Sequence, residues 1–251
     1  MKKIFVILQL FSISYFISCA KIQEKKNLKS QKSDFVIAFG SCNKQSKTNV
    51  LWQEIAKNKP NLWIWGGDNI YADTEDMEKM KRNYEELRNQ NGYIQTTKNI
   101  PVMATWDDHD YGKNDGGENF HYKNEAKKLF LQFWEIPKGH QQNLSEGLNY
   151  EIKKKSNGLI IQFIILDVRY FKSNFKPTDK RDAPYKERYI KDWSPSKTML
   201  GDKQWTWLSE KLDENADIRF LISSLQVIAE GHGFEKWGNF PLEKKRLYSL
   251  V

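Results

Sequence analysis

Apolar residues fall along this chain in short bursts, separated by stretches whose apolar positions recur at helical spacing. "DFVIAFGSC" runs apolar to Gly40, "NLWIWGG" to Gly66 and "IPVMATWDD" to Trp106. Continuous runs of this length predict strands buried on both faces. Between them, residues 48–58 carry Val50, Leu51, Ile55 and Ala56 at helical spacing. "EDMEKMKRNYEELRNQ" has acids in its first turn and Asn-Gly near its end, the charge pattern of a helix. "NEAKKLFLQFWEI" predicts a helix that stops at Pro137. "GLNYEIKKK" and "GLIIQFIILDVRYF" predict a hairpin turning around Ser156 to Gly158. "GDKQWTWLSEKLDENA" puts Trp205, Leu208 and Leu212 on one helical face, "DIRFLISSLQV" predicts a further strand, and Pro241 opens a last helix. Residues 172–198 are polar, hold three prolines and predict a long surface excursion. Strands alternating with helices, followed by a hairpin region, predict a mixed α/β domain over residues 34–251.

The amino-terminal end has a different pattern. Lys2 and Lys3 precede an apolar run from Ile4 to Ile17, too short to span a bilayer and suited to the core of a signal peptide. The run ends in "FISC", and a small residue directly before a cysteine resembles a bacterial lipoprotein processing site. That resemblance implies cleavage before Cys19, a lipid on Cys19, and an exported protein anchored to the bacterial cell envelope. Residues 20–33 are Lys-rich with no apolar period and predict a tether. With Cys19 lipidated, Cys42 has no internal partner, since the 251-residue chain holds only these two cysteines.

Composition narrows the class. Apolar residues make up 39% of the chain and aromatics 14%, enough to build a core and unlike a disordered chain, despite a mean hydropathy of −0.74. The formal net charge of +8 is spread over the chain with acids interleaved, whereas nucleic-acid binding needs a basic patch or stripe. No nucleic-acid partner is expected.

Three strand ends change abruptly from apolar residues to ligand-type residues. The first delivers Ser41, Cys42 and Asn43, the second Asp68, Asn69 and Tyr71, and the third Asp107, Asp108, His109 and Asp110. Sites in α/β sheets form beyond the carboxyl ends of the strands. Clustered carboxylates repel one another and resist ionisation, and a multivalent cation removes that cost. Thiolate, carboxylate and phenolate suit a hard or borderline metal such as iron, with calcium at oxygen-only positions; side chains alone also allow zinc or manganese. Acids around His109 are expected to raise its pKa.

"FGSCN", "WIWGGDNIYADT", "ATWDDHDYGKNDGG", "LDVRYF", "TMLGDKQWTWL", "SSLQV" and "GFEKWGNFP" occur in that order from about Phe35 to Pro241. Together they resemble the PhoD-like alkaline phosphatase/phosphodiesterase family, a branch of the calcineurin-like metallophosphoesterases. The resemblance implies a four-layer α-β-β-α sandwich and metal-dependent hydrolysis of phosphate mono- or diesters. It implies Asp68 as the carboxylate between two metals, Cys42 as an iron ligand, Tyr71 as a phenolate ligand, and Asp108 and Asn114 as oxygen ligands. It implies His109 as the acid that protonates the leaving alkoxide, held by Asp107 or Asp110, while hydroxide from an activated water attacks phosphorus in line. Arg169 is expected either to face the phosphate or to pair with Asp167. The family's pattern continues with a further strand and a Gly-Asp-x-His-like motif, which nothing after Phe240 supplies. The expectation is therefore a domain incomplete at its carboxyl end, with an apolar face and a sheet edge exposed and little turnover from these 251 residues. The competing reading is a catalytically silent surface protein that binds metal or a phosphorylated ligand.

Overall fold

The computed structural model describes residues 35–251; the leader, Cys19 and the tether lie outside the described residues. Strands β1 (Ile37–Gly40), β2 (Leu62–Gly66) and β3 (Val102–Thr105) form a parallel sheet in that order. The helices that connect and follow them are α1 (Leu51–Lys57), α2 (Met77–Arg88), α3 (Asn91–Thr97), the single turn α4 (Asp108–Tyr111), α5 (Lys123–Phe133) and α6 (Gln141–Leu144). A second sheet follows. Its hairpin strands β4 (Tyr150–Ser156) and β5 (Leu159–Ile165) are antiparallel, turning through Asn157 and Gly158, both at positive φ. The excursion holds only a two-stranded ladder, β6 (Lys176–Pro177) with β7 (Tyr189–Ile190). Helix α7 (Gly201–Asp213) then crosses to β8 (Ile218–Ile222), which lies parallel to β5, and α8 (Pro241–Leu250) follows.

Side-chain parity builds the layers. Leu62 and Ile64 of β2 point to the same face as Met103 of β3 and meet Tyr150, Ile161, Phe163 and Ile165 of the second sheet in one buried cluster. Trp63 and Trp65 point the other way, into a cluster with Trp52 of α1, Met80, Tyr84 and Leu87 of α2, Tyr93 of α3 and Phe130 of α5. On the far side, Ile164 of β5 packs with Trp205 and Leu208 of α7 and Leu247 of α8. The result is the four-layer α-β-β-α sandwich that the resemblance implied. The inner layer is tied across the sheets by the Tyr150 hydroxyl, 3.1 Å from the Ala104 amide. Each of these buried apolar side chains contributes about 1.5–3 kcal/mol by leaving water.

The expectation of burial on both faces holds for β2 but fails for β1. Strand β1 is an edge strand among the described residues, and Phe39, on the inner face beside Ile64, is 80% exposed. Strand β8 is likewise an edge strand of the second sheet among the described residues, with Ile218 and Phe220 partly exposed. Between the two edges lies a cleft of about 680 Å³ lined by Ile37, Phe39, Ile64, Phe220 and Ile222, with Ser41 and Ser224 at one end. A continuous apolar run does not distinguish a central strand from an edge strand, because the neighbour is chosen by tertiary assembly. Helix α3 was not legible either. Asn91-Gly92 reads as a helix end, yet the backbone restarts there and Gly92 sits so close to Trp52 that a Cβ would meet its Cβ at 2.8 Å and its ring at 2.9 Å.

Candidate metal centre

The strand tips of the first sheet converge. Beyond the ladder, the Asn43 amide still bonds the Asp68 carbonyl at 2.9 Å, so the ends of β1 and β2 stay in register as they leave the sheet. Gly67, at φ +104°, makes the turn; a Cβ there would lie 2.7 Å from Asp107 Cβ and 2.8 Å from Ser224 Cβ. Cys42 and Asp68 follow with positive φ of 59° and 49°. Such backbone is uncommon outside glycine and costs free energy, which is tolerated where a site fixes it. The Cys42 thiol lies 3.5 Å from Asp68 Oδ2, and the His109 amide 3.4 Å from Asp68 Oδ1. The Tyr71 ring packs on the His109 imidazole with centroids 4.1 Å apart and planes inclined by 30°. Ligand atoms of Asp68, Asp108 and His109 lie within 4.8 Å of one another. Cys42, Asp68, Tyr71, Asp108 and His109 are thus one constellation.

The remaining sequence candidates have other surroundings. Asp110 is fully buried and accepts the Asp107 amide at 2.6 Å, the Asn69 amide at 3.0 Å and the Asn69 side-chain amide. It braces the start of α4, in the manner of the reciprocal half of a capping box. Asp107 accepts Arg169 Nε at 2.6 Å and the Ser224 hydroxyl at 2.9 Å. Neither touches the His109 ring. The carboxylate on that ring is Asp73, with both oxygens within 2.8 Å of Nδ1. This corrects the expectation that Asp107 or Asp110 would hold the histidine. Asp73 arrives because its amide and that of Ala72 both bond the His109 carbonyl, at 3.3 and 3.2 Å. Asn114 is exposed in the turn after α4; its neighbour Asp115 turns inward instead, donating its amide to Asp108 Oδ2 at 2.8 Å.

Arg169 departs from both of its expected placements. Its side chain is 0% exposed and leaves Asp167 to other groups: Asp167 accepts Trp106 Nε1 and the amides of Leu148, Arg169 and Tyr170. The guanidinium bonds Asp107, the Gly116 carbonyl and both carboxylate oxygens of Glu235. Asp108, Asp115 and Glu235 bring carboxylate oxygens within 4.8 Å of one another, and Arg169, Lys172 and Arg188 surround them. Asp73, Asp115 and Glu235 escaped the sequence reading. The only signal for them is that each sits inside a motif already singled out, in "YADT", "KNDGG" and "GFEKW".

Electrostatics tests whether these residues suit a cation. Burial, with the neighbouring Asp107 and Asp108, pushes Asp68 from 3.8 to about 7. Burial raises the Cys42 thiol and the Tyr71 phenol as well, with Asp68 adding to both. Three anionic ligand types thus share a site that, without a cation, holds each toward its protonated form. A multivalent cation reverses all three preferences, so the donor set fits a metal. Asp108 behaves differently. Burial opposes its charge, but Arg169, the Asp115 amide and His109 outweigh that and hold it below the usual carboxylate range. Burial also opposes the charged His109, yet Asp73, Asp108 and Asp68 together raise its pKa, as the sequence led us to expect.

Comparison with known proteins gives the same frame. A solved structure of PhoD superposes with a TM-score of 0.62 and 18% identity, over 85% of this chain and 47% of the other. This chain therefore spans about half the length of that structure. A dimetal phosphatase from Danio rerio superposes with a TM-score of 0.57 and 11% identity, over 86% of this chain and 77% of the other. At those identities the likeness establishes the fold. No curated protein sequence matches the chain. The family model described as PhoD-like phosphatase matches residues 35–241, nearly the whole described domain, and the chain belongs to the PhoD-like phosphatase family.

Proposed function

We propose that this protein is an exported, metal-dependent phosphoric ester hydrolase acting on phosphate mono- or diesters. The observation that carries the reading is the convergence of Cys42, Asp68, Tyr71, Asp108 and His109 in a chain whose family is that of PhoD-like phosphatases. Cys42, Asp68, Tyr71 and Asp108 would hold the cations, iron toward the thiol and phenol and calcium toward the carboxylates. Bound there, cations neutralise the ester's charge and acidify water.

The chain's own residues supply the rest. Asp73 occupies Nδ1 of His109, which leaves Nε2 to deliver a proton to the departing alkoxide oxygen. The Tyr71 ring fixes the plane of the imidazole. Asp107 and Asp110 act as struts for α4 rather than as proton carriers, and Arg169 anchors Asp107. General acid help of this kind is worth about 10²–10⁴-fold. The lipid on Cys19 and the envelope location belong to the same proposal and rest on the amino-terminal pattern alone. Incorporation of labelled lipid that is lost in Cys19→Ala is the expected result.

The test uses the full-length protein, stripped with chelator and reloaded with iron and calcium, with zinc and manganese as comparators. Hydrolysis of bis(p-nitrophenyl) phosphate or p-nitrophenyl phosphate should require reloading and vanish in Asp68→Ala. Elemental analysis should find iron that Cys42→Ala loses. Undiminished hydrolysis by Asp68→Ala would overturn the assignment. Cation binding with no hydrolysis of either ester would favour the silent binding protein.

A further inference from the structure

Arg169 lies at an awkward distance from the candidate metal centre. Four bonds hold its guanidinium, to Asp107, Gly116 and twice to Glu235. One Nη2 hydrogen is left over, and that nitrogen stands 3.8 Å from Asp108 Oδ1. Asp108 is also one of the three side chains, with Asp68 and His109, whose carboxylate or imidazole atoms lie within 4.8 Å of one another at the centre. A buried guanidinium only slightly closer would form a charge-assisted bond to Asp108 and take its charge away from a cation. Two of its four bonds go to Glu235, whose two oxygens accept from Nη1 and Nη2 at 2.9 and 2.7 Å.

Glu235 is built into a stiff segment. The neighbouring Trp237 is fully buried, its amide bonds the Gln226 carbonyl at 3.0 Å and its indole bonds Ser223 at 2.9 Å. The Lys236 amide bonds Asn239 at 2.7 Å. Buried Lys172 adds a second cation at 3.6 Å from Glu235 Oε1. The carboxylate is thus fixed within 4.8 Å of Asp108, and the arginine it grips is fixed with it.

We propose that Glu235 is a positioning residue for the metal centre: it holds the Arg169 guanidinium off Asp108 and so keeps Asp108 free to bind a cation. The inference rests on the metal reading of the site and adds to it a residue more than a hundred positions away in the chain. Residues that orient metal ligands from outside typically govern 10–100-fold in metal affinity.

The experiment measures Mn²⁺ affinity on the chelator-stripped protein, from the free-ion electron paramagnetic resonance signal. Glu235→Gln, folded by its thermal transition, should bind Mn²⁺ about tenfold or more weakly, because Arg169 then closes on Asp108. Glu235→Asp, which keeps the charge, should recover part of that loss. The double variant Arg169→Gln/Glu235→Gln removes the competing guanidinium, at the cost of its bond to Asp107, and should bind Mn²⁺ more tightly than Glu235→Gln does. A merely structural role predicts the opposite order, with the double variant worse than the single. An unchanged Mn²⁺ affinity in folded Glu235→Gln overturns the proposal, and so does a double variant that binds no more tightly than Glu235→Gln. Should Glu235→Gln fail to fold, the comparison moves to the Arg169→Gln background, where the same change should cost less than about threefold and a tenfold loss overturns the proposal. A wild type that binds no Mn²⁺, iron or calcium would instead sink the metal reading itself.

Discussion

Asp68→Asn is the most informative single change, because it should stabilise the cation-free protein while destroying the site. Asp68 is 6% exposed, and burial with the Asp107 and Asp108 charges lifts its pKa from 3.8 to about 7. A carboxyl raised in the folded state binds a proton that the unfolded chain has already lost. Stability therefore falls as pH climbs from about 4 to about 7, and the full penalty persists above that. At about 1.36 kcal/mol per pH unit, the gap sets a ceiling of about 4 kcal/mol at pH 8. Asparagine removes the charge and keeps the shape. It also tolerates the positive φ of 49° at this position. The hydrogen bonds at stake are weak, at 3.4 and 3.5 Å, and a side-chain amide oxygen can still accept one. In chelator at pH 8, the thermal midpoint of Asp68→Asn should rise, by about 2–4 °C for each kcal/mol in a domain of this size. At pH 4 the two proteins should melt together. With iron and calcium added, the order should reverse, because only the wild type gains stability from binding. A variant that melts lower than wild type in chelator at pH 8 would refute the reasoning.

Two further outcomes follow from the same geometry. Asp73→Asn should lower the pH at which the His109 ring titrates in the cation-free protein, read by NMR. The stability that the His109–Asp73 pair contributes is fully present below the ordinary histidine pKa and is lost as pH rises through the raised one, so Asp73→Asn should cost most at acidic pH. Gly67→Ala puts a Cβ against Asp107 and Ser224 at positive φ, and should cost about 2 kcal/mol or more by denaturant titration while weakening Mn²⁺ binding.

Much of this protein was determined by local sequence. Alternation along "LWIWG" and "LIIQFII" decides which side chains enter the inter-sheet core and which meet the helices, because strand side chains alternate whatever the neighbours are. Asp76 caps α2, accepting the amides of Glu78 and Lys79, and Pro241 opens α8, both readable from residue type alone. The placement of Cys42, Asp68, Tyr71, Asp108 and His109 at neighbouring strand tips was also legible, since parallel strands must deliver their carboxyl ends to one side. Tertiary structure alone decided the rest. It chose Asp73 over Asp107 and Asp110 as the partner of His109, because the backbone of residues 72–73 binds the helix turn that carries the histidine. It turned Asp115 inward and left Asn114 in solvent. It buried Arg169 against Glu235, a contact between segments 66 residues apart that no local pattern encodes. Sequence spacing fixes what a residue can reach along its own element; which carboxylate meets which cation across elements depends on how the layers close.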